Sequence, residues 1–273
     1  MMTEKHLIAL DLDGTLLKND KTISPLTKKV IEKAKEAGHI VMIATGRPYR
    51  ASEAIYKELN LDTPIVNFNG AFIHHPRSQE WGIYHSPLDI STVKDIVEAC
   101  SEFDYHNIIA EVIDDVYFHY HDDKLLDIFS LGNPKTTTGN LMEFLEASPT
   151  CLLIHAEEKD VVRIRKHLSD VHADLIDHRR WGDPYHIIEI VRTGLSKAIG
   201  LQKVSDFYHI PQKNIIAFGD EDNDFEMIEY AGVGVAMGNG LQELKSRANH
   251  ITLTNEQDGI AVFLNDYLDL KAL

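Results

Sequence analysis

The chain has 273 residues, more than one domain usually holds, and its 44% apolar content suffices for a substantial core, so two domains are expected. A formal net charge of -16 argues against nonspecific binding to nucleic acid or anionic membrane. No run approaches the roughly 20 apolar residues of a membrane span, and the start Met1-Met2-Thr3-Glu4-Lys5-His6 has no secretory pattern, so a cytoplasmic protein is expected.

Over the first 75 or so residues, strand and helix patterns alternate. Apolar runs at roughly 6–10, 39–44 and 64–68 predict parallel strands, which are apolar almost throughout when both sheet faces are covered. Between the first two, Ser24-Pro25 predicts a helix cap and first turn, Val30, Ile31 and Ala34 its buried stripe, and Gly38 its stop. From about Gly82 to Ile190 the texture becomes α+β. Helices are expected at 89–102 and 158–170 and strands at 150–155, 174–178 and 186–191, while Ile108 to Tyr120 reads as a hairpin turning at Asp114-Asp115. From Lys197 the first pattern resumes, with strands near 214–218, 232–236 and 250–253 completing the same sheet. Cys100 and Cys151, the only two cysteines, lie in apolar surroundings and are expected to be reduced core thiols.

Chemistry-bearing residues gather where the core strands end. Leu7 to Leu10 runs into Asp11-Leu12-Asp13-Gly14-Thr15; the strand period of two lets Asp11 and Asp13 point the same way, and Gly14 lets the chain turn away closely. An ionised Asp is a nucleophile toward a phosphoryl group, and a second carboxyl can protonate the leaving oxygen and later activate water. Asp-Gly is also an ordinary turn pair. Ile40 to Ala44 ends in Thr45-Gly46-Arg47, Leu195-Ser196-Lys197 supplies a cation, and Ile215 to Gly219 ends in Asp220-Glu221-Asp222-Asn223-Asp224. Ligands of open parallel sheets bind outside the carboxyl ends of the strands, so residues far apart in sequence can share one crevice.

These four segments, in this order, resemble the motifs of the haloacid dehalogenase superfamily and bracket nearly the whole chain. Asn69-Gly70-Ala71, Ala231 to Asn239 and Asp258-Gly259-Ile260-Ala261 make the resemblance closest to its Cof-type large-capped phosphatases, although Gly240 stands where that pattern usually has Ala. The resemblance implies an α/β fold: a Rossmann-like parallel-sheet core, residues 1–82 and 191–273, with an inserted α+β cap domain, residues 83–190. It implies Asp11 as the nucleophile that forms an aspartyl-phosphate and Asp13 as general acid, then base. It also implies Mg²⁺ held by Asp11, Asp220 and the Asp13 backbone carbonyl, with Asp224 binding directly or through water. Thr45 and the Gly46 amide would donate to phosphoryl oxygens while Lys197 neutralises developing charge. Asn223 would hold the phosphate or Lys197, Asn69 would contact substrate, and Arg47 would either reach substrate or fasten its loop. Asp11 should stay ionised beside the metal and Lys197, with the Asp13 pKa raised by poorer solvation.

Each residue also has an ordinary reading: Thr45 as an N-cap, Lys197 as a solvated lysine, and the acids at 220–224 as helix N-terminal residues favouring the dipole. His119, His121, His178 and His186 lie in the inserted region, where a His-x-His pair invites zinc, but no further ligand spacing completes a site and structural roles are expected. Arg179, Arg180 and Trp181 either select an anionic or ring-bearing substrate or pack the hinge. The resulting expectation is a Mg²⁺-dependent phosphatase of small phosphomonoesters, sugar phosphates first, then pyridoxal phosphate and flavin mononucleotide. It would have no nucleic-acid or membrane partner and be a monomer or weak homo-oligomer. A phosphosugar mutase would use the same residues, and a noncatalytic phosphometabolite sensor would share fold and motifs. A dehalogenase has no need of Asp13.

Overall fold

The computed structural model describes residues 4–181 and 186–272; residues 1–3, where the expected run into the first strand begins, lie outside the described residues. In chain order the elements are β1 (Leu7–Leu10), α1 (Pro25–Glu36), β2 (Ile40–Ile43), α2 (Tyr49–Glu58), β3 (Ile65–Asn67), β4 (Phe72–His74), β5 (Ile83–His85), α3 (Ile90–Cys100), β6 (Tyr105–Val112), β7 (Asp115–Phe118), α4 (Asp123–Phe129) and β8 (Thr136–Thr138). There follow α5 (Leu141–Phe144), β9 (Cys151–Ala156), α6 (Glu158–His172), β10 (Ile176–Arg180), β11 (Ile187–Arg192), α7 (Lys197–Tyr208), β12 (Ile215–Gly219), α8 (Phe225–Tyr230), β13 (Val233–Ala236), α9 (Gln242–Arg247), β14 (His250–Ile251) and α10 (Gly259–Tyr267).

The chain divides into two compact units, one of Met1–Arg47, Ala54–Ile83 and Ser196–Leu273, the other of Pro48–Glu53 and Tyr84–Leu195. The inserted unit thus ends later than the expected residue 190, because β11 runs to Arg192 and pairs it with Ile176 of β10. It also claims the start of α2, where the Arg50 amide donates to Asp114 Oδ1 at 3.0 Å. That tie crosses more than sixty residues of sequence and leaves no local signature.

In the first unit the sheet order is β14-β13-β12-β1-β2, with every pair parallel. A parallel bridge between Ala44 and Val66 sets β3 beside the end of β2, and β3 pairs antiparallel with β4. All four residues of β1 are buried, as are those of β2, β12 and β13, which accounts for their unbroken apolar runs. Leu7 and Ala9 share one packed cluster with Met42, Ala217, Leu201 and Val204, whereas the alternate residues of β1 face the other way. Helix α1 forms as expected. The Ser24 side chain accepts from the Thr27 amide, Pro25 opens the first turn, Val30, Ile31 and Ala34 are buried, and Gly38 follows the helix at φ 92°.

The second unit holds a six-stranded sheet in the order β10-β11-β9-β6-β7-β8, antiparallel except for β7 with β8. The hairpin turns at Ile113-Asp114, one residue before the expected Asp114-Asp115, because Val112 pairs with Asp115 and Ile113 takes a left-handed φ of 56°. A β-branched residue in that conformation is uncommon, so sequence preference pointed to the neighbouring acids. Cys100 and Cys151 are buried free thiols in this unit.

Gly234 packs closely in the first unit: a Cβ there would overlap the backbone carbonyl of Ile228 in α8. Gly234→Ala is expected to lower the unfolding free energy by about 1–3 kcal/mol, as overpacking against immobile backbone does, measured by urea denaturation.

Candidate active site

The strand order reverses direction at β1, which lies between β2 and β12, and this is where open parallel sheets place their ligands. Asp11 follows β1, with its amide donating to Phe218 O at 3.2 Å, and Asp220 follows β12. The two carboxylates are brought to one edge by strand pairing, whose register sets Leu10 opposite Phe218.

Lys197, the first residue of α7, is fully buried. Its Nζ donates to Asp11 Oδ1 and to Asp224 Oδ1, both at 2.7 Å. The surface-lysine reading is therefore excluded. Burial disfavours its charge, but Asp11 and Asp224 outweigh burial and raise its pKa. The other oxygen of Asp224 accepts from the amides of Asp220 (2.9 Å) and Glu221 (3.2 Å), so both of its oxygens are engaged. Asp220 is held by Thr15, whose hydroxyl donates to Oδ1 at 2.8 Å, and Asn239 donates to the Gly14 carbonyl at 2.8 Å. Gly14 has φ 76°, and a Cβ there would overlap the Asp220 carboxylate, so this turn tolerates only glycine beside the site.

Asp11, Asp220 and Asp224 are all buried and offer oxygens within 4.8 Å of one another, the one group among the described residues arranged to hold a metal ion. With only Lys197 as counter-charge, burial pushes the Asp11 pKa up to about 7 against the pull of Lys197, and burial together with Asp11 and Asp224 pushes that of Asp220 up to about 8. The Asp13 side chain is not in this group. Although partial burial disfavours its charge, Arg47 and Lys21 pull its pKa down to about 2. Arg47 donates to it through Nε and Nη2, each at 2.6 Å, and Lys21 through Nζ at 2.8 Å. The shift at Asp13 runs opposite to the sequence expectation, because a carboxylate between two cations is stabilised more than its burial costs it; the upward shift at Asp11 belongs to the metal-free site, whereas the expectation of an ionised Asp11 was for the site with its metal.

The Thr45 hydroxyl is buried and accepts from the Arg47 amide at 3.1 Å, and the Thr45 amide donates to Val66 O at 2.9 Å. Gly46 lies against the Asn69 amide group, and Asn223 Nδ2 donates to Asn69 Oδ1 at 3.0 Å, so Asn223 pairs with Asn69 while Lys197 is held by the two acids. Phe68, Asn69 and Gly70 have φ of 48°, 52° and 103°, three consecutive left-handed residues. They brace the Thr45–Arg47 loop: the Phe68 amide and Asn67 Nδ2 both donate to Arg47 O, at 3.3 and 2.9 Å, and the Asn69 amide to Thr45 O at 3.1 Å. Such strain persists only where surrounding structure over-determines it.

Sequence reasoning assigned no role to Thr15, Lys21 or Asn67. Thr15 and Lys21 stand close to Asp13 in sequence, which was the available signal. Lys21 is held at φ 65° in a turn where Asp20 Oδ1 accepts from the Thr22 amide and Lys18 from the Lys21 amide. In the inserted region His119 Nδ1 accepts from the Leu141 amide, His121 meets Asp123, His178 lies between Arg165 and Ser169, and His186 meets Arg180. Trp181 donates to Glu189 and stacks on Phe129.

Lys197→Met would leave two buried carboxylates without their cation. It is expected to destabilise the metal-free protein by about 3 kcal/mol, measured by urea denaturation at pH 8.5; a loss below about 1 kcal/mol would refute the charge-balancing role.

The model of the haloacid dehalogenase-like hydrolases matches residues 8–264. The chain is 57% identical to the 5-amino-6-(5-phospho-D-ribitylamino)uracil phosphatase YitU of Bacillus subtilis over 99% of this chain and 100% of that protein. It is 31% identical to the pyridoxal phosphate phosphatase YbhA of Escherichia coli over 96% of this chain and 98% of that one. A solved haloacid dehalogenase-like hydrolase from Bacteroides thetaiotaomicron superposes with a TM-score of 0.81 at 25% identity, covering 97% of this chain and 100% of its own. With a match spanning most of its length, the chain belongs to the family of haloacid dehalogenase-like hydrolases.

Proposed function

We propose that the chain is a Mg²⁺-dependent phosphatase that hydrolyses small phosphomonoesters through an aspartyl-phosphate on Asp11. The observation that carries this reading is the buried Lys197 ammonium joining Asp11 to Asp224 beside Asp220. Three buried carboxylates against one ammonium form an all-oxygen, net negative donor set, which suits a hard divalent cation. Asp11 and Asp220 would hold Mg²⁺, with the Asp13 carbonyl; Asp224, whose oxygens are engaged, would act through water. When bound, the metal supplies charge neutralisation at the phosphoryl oxygens.

A carboxylate oxygen of Asp11 attacks phosphorus as the ester P–O bond breaks, and the leaving alkoxide takes a proton from Asp13. Asp13 then removes a proton from the water that attacks the acyl phosphate, releasing inorganic phosphate and restoring Asp11. With Arg47 and Lys21 on it Asp13 stands as the base of this second half, and its acid role in the first half requires these contacts to loosen when the ester binds. The Thr45 hydroxyl accepts from Arg47, and its hydrogen serves a phosphoryl oxygen together with the Gly46 amide; Arg47, Asn69 and Asn223 complete the substrate side. The first unit carries the chemistry and the inserted unit selects the ester. The relative named for a ribitylaminouracil phosphate supports a sugar-alcohol phosphate bearing a polar ring as substrate.

The test is phosphate release from 5-amino-6-(5-phospho-D-ribitylamino)uracil, sugar phosphates, pyridoxal phosphate and flavin mononucleotide, with Mg²⁺ or EDTA. Activity is expected only with Mg²⁺, and Asp11→Asn is expected to reduce it on the order of 10³-fold or more with little change in far-UV circular dichroism. Retained turnover in Asp11→Asn would overturn the nucleophile assignment.

The upward shifts at Asp11 and Asp220 give a second prediction. Their favourable contribution to the metal-free fold is complete below the ordinary carboxylate range and is lost as pH rises through about 7 and 8, where both ionise beside Asp224. Mg²⁺ must expel protons at low pH but relieves repulsion at high pH. The rise in Tm on adding Mg²⁺ is therefore expected to be larger at pH 8.5 than at pH 6 by about 3 °C; an equal or reversed difference in scanning calorimetry would contradict the assigned ligands.

A further inference from the structure

The turn that follows Asp13 is a fixed mount for one side chain. Leu17 forms a bridge with Asp13, and Lys18 both donates its amide to Thr22 O and accepts from the Lys21 amide, each at 2.9 Å. Lys21 itself is held at φ 65°, an uncommon conformation for a residue with a side chain. The turn is also tied down from the far end of the chain. Asn255 Nδ2 donates to Leu17 O at 2.9 Å, and Glu256 accepts from the Asn19 amide at 2.7 Å and lies 3.5 Å from the Lys18 ammonium. A backbone cost of this kind persists only where the surroundings over-determine it. What the turn presents is the Lys21 ammonium, 2.8 Å from Asp13 Oδ1.

The two cations on Asp13 are not alike. Arg47 engages both of its oxygens, is 20% exposed, and belongs to the loop assigned to the phosphoryl group. Lys21 engages Oδ1 alone, is 61% exposed, and bonds no other side chain among the described residues. A phosphoryl dianion competes with a single carboxylate for Arg47, whose planar fork fits phosphate oxygens two at a time. The phosphoryl group stays in the site through both halves of the reaction, first as the ester and then on Asp11. Arg47 therefore remains with it until inorganic phosphate leaves, and Lys21 is the cation left for Asp13. Without a donor, a half-exposed carboxylate samples several rotamers; with Lys21 on Oδ1 it keeps one direction for Oδ2.

We infer that Lys21 is a positioning residue for the hydrolytic half of the reaction: once the alcohol has left, its ammonium closes on Asp13 Oδ1 and holds the carboxylate with Oδ2 toward the attacking water. In that half the water oxygen bonds to phosphorus, the bond from phosphorus to the Asp11 oxygen breaks, and the water proton passes to Asp13. Lys21 acts through Asp13, by fixing its direction. The inference rests on the phosphatase reading and assigns one half of that cycle to a turn lying outside the motif residues.

The experiment uses p-nitrophenyl phosphate with Mg²⁺, whose phenol leaves with little help from Asp13, so that the water step limits turnover. Stopped-flow release of p-nitrophenol and steady-state release of phosphate are measured for the native protein, Lys21→Met and Lys21→Arg. Lys21→Met keeps the apolar stem and removes the ammonium; Lys21→Arg keeps a cationic donor. Lys21→Met is expected to lower kcat on the order of 10-fold, as misdirection of an acid–base group does. Its kcat/KM, which reports events up to departure of the phenol, is expected to stay within about twofold of native, with a p-nitrophenol burst of about one equivalent. Lys21→Arg is expected to recover most of kcat. Equal losses in kcat and kcat/KM, an unchanged kcat in Lys21→Met, or a Lys21→Arg no faster than Lys21→Met overturns the inference while leaving the phosphatase reading in place. A native protein that releases phosphate from neither p-nitrophenyl phosphate nor any ester of the panel overturns both.

Discussion

The ammonium of Lys197, buried between Asp11 and Asp224, is the contact on which the catalytic unit depends. Bringing carboxylates from two strand ends within a few ångströms in a dry environment is strongly unfavourable unless a cation shares them. Lys197 reaches them because α7 begins there, and the other oxygen of Asp224 closes the turn after β12 through the Asp220 and Glu221 amides. One residue thus joins three chain segments. The single ammonium leaves negative charge over, and the raised pKa values of Asp11 and Asp220 express that surplus. Three buried carboxylates arranged this way could hold a metal ion, which would offset the surplus negative charge.

Asp13 shows the same electrostatics with the opposite sign. Its side chain is shared by Arg47 and Lys21, and its charge is stabilised where that of Asp11 is not. The two acids stand two residues apart, yet their environments diverge because the cations come from elsewhere in the chain: Lys197 for one, Arg47 and a turn lysine for the other. The division of roles proposed for the two acids, nucleophile and proton carrier, rests on this difference of environment.

The parallel core was legible in the sequence because strands buried on both faces must be apolar without interruption, as β1, β2, β12 and β13 are. Helix α1 was legible through its cap, stripe and stop. The inserted sheet was legible in outline, through its alternating strands, but not in detail. The hairpin turn moved to Ile113-Asp114 because cross-strand register, set by β6 and β7 together, overrode the turn preference of the acids. The joining of Pro48–Glu53 to the inserted unit, and the parallel edge of β7 with β8, likewise depend on contacts between segments distant in sequence.

The sequence by itself determined the element types of the core, the order of the motifs and which residue types stand at the strand ends, because these follow from local periodicity and spacing. Only the tertiary structure decided that Lys197 is buried, that Arg47 and Lys21 hold Asp13, that Asn223 pairs with Asn69, and that Arg50 lies beside Glu111 with donors unsatisfied. The physical reason is that burial and charge are sums over spatial neighbours. Apart from Lys21, near Asp13 in the chain, the groups that set these charges lie far off in sequence, Arg47 from Asp13 and Asp11 from Lys197, and no local pattern encodes them.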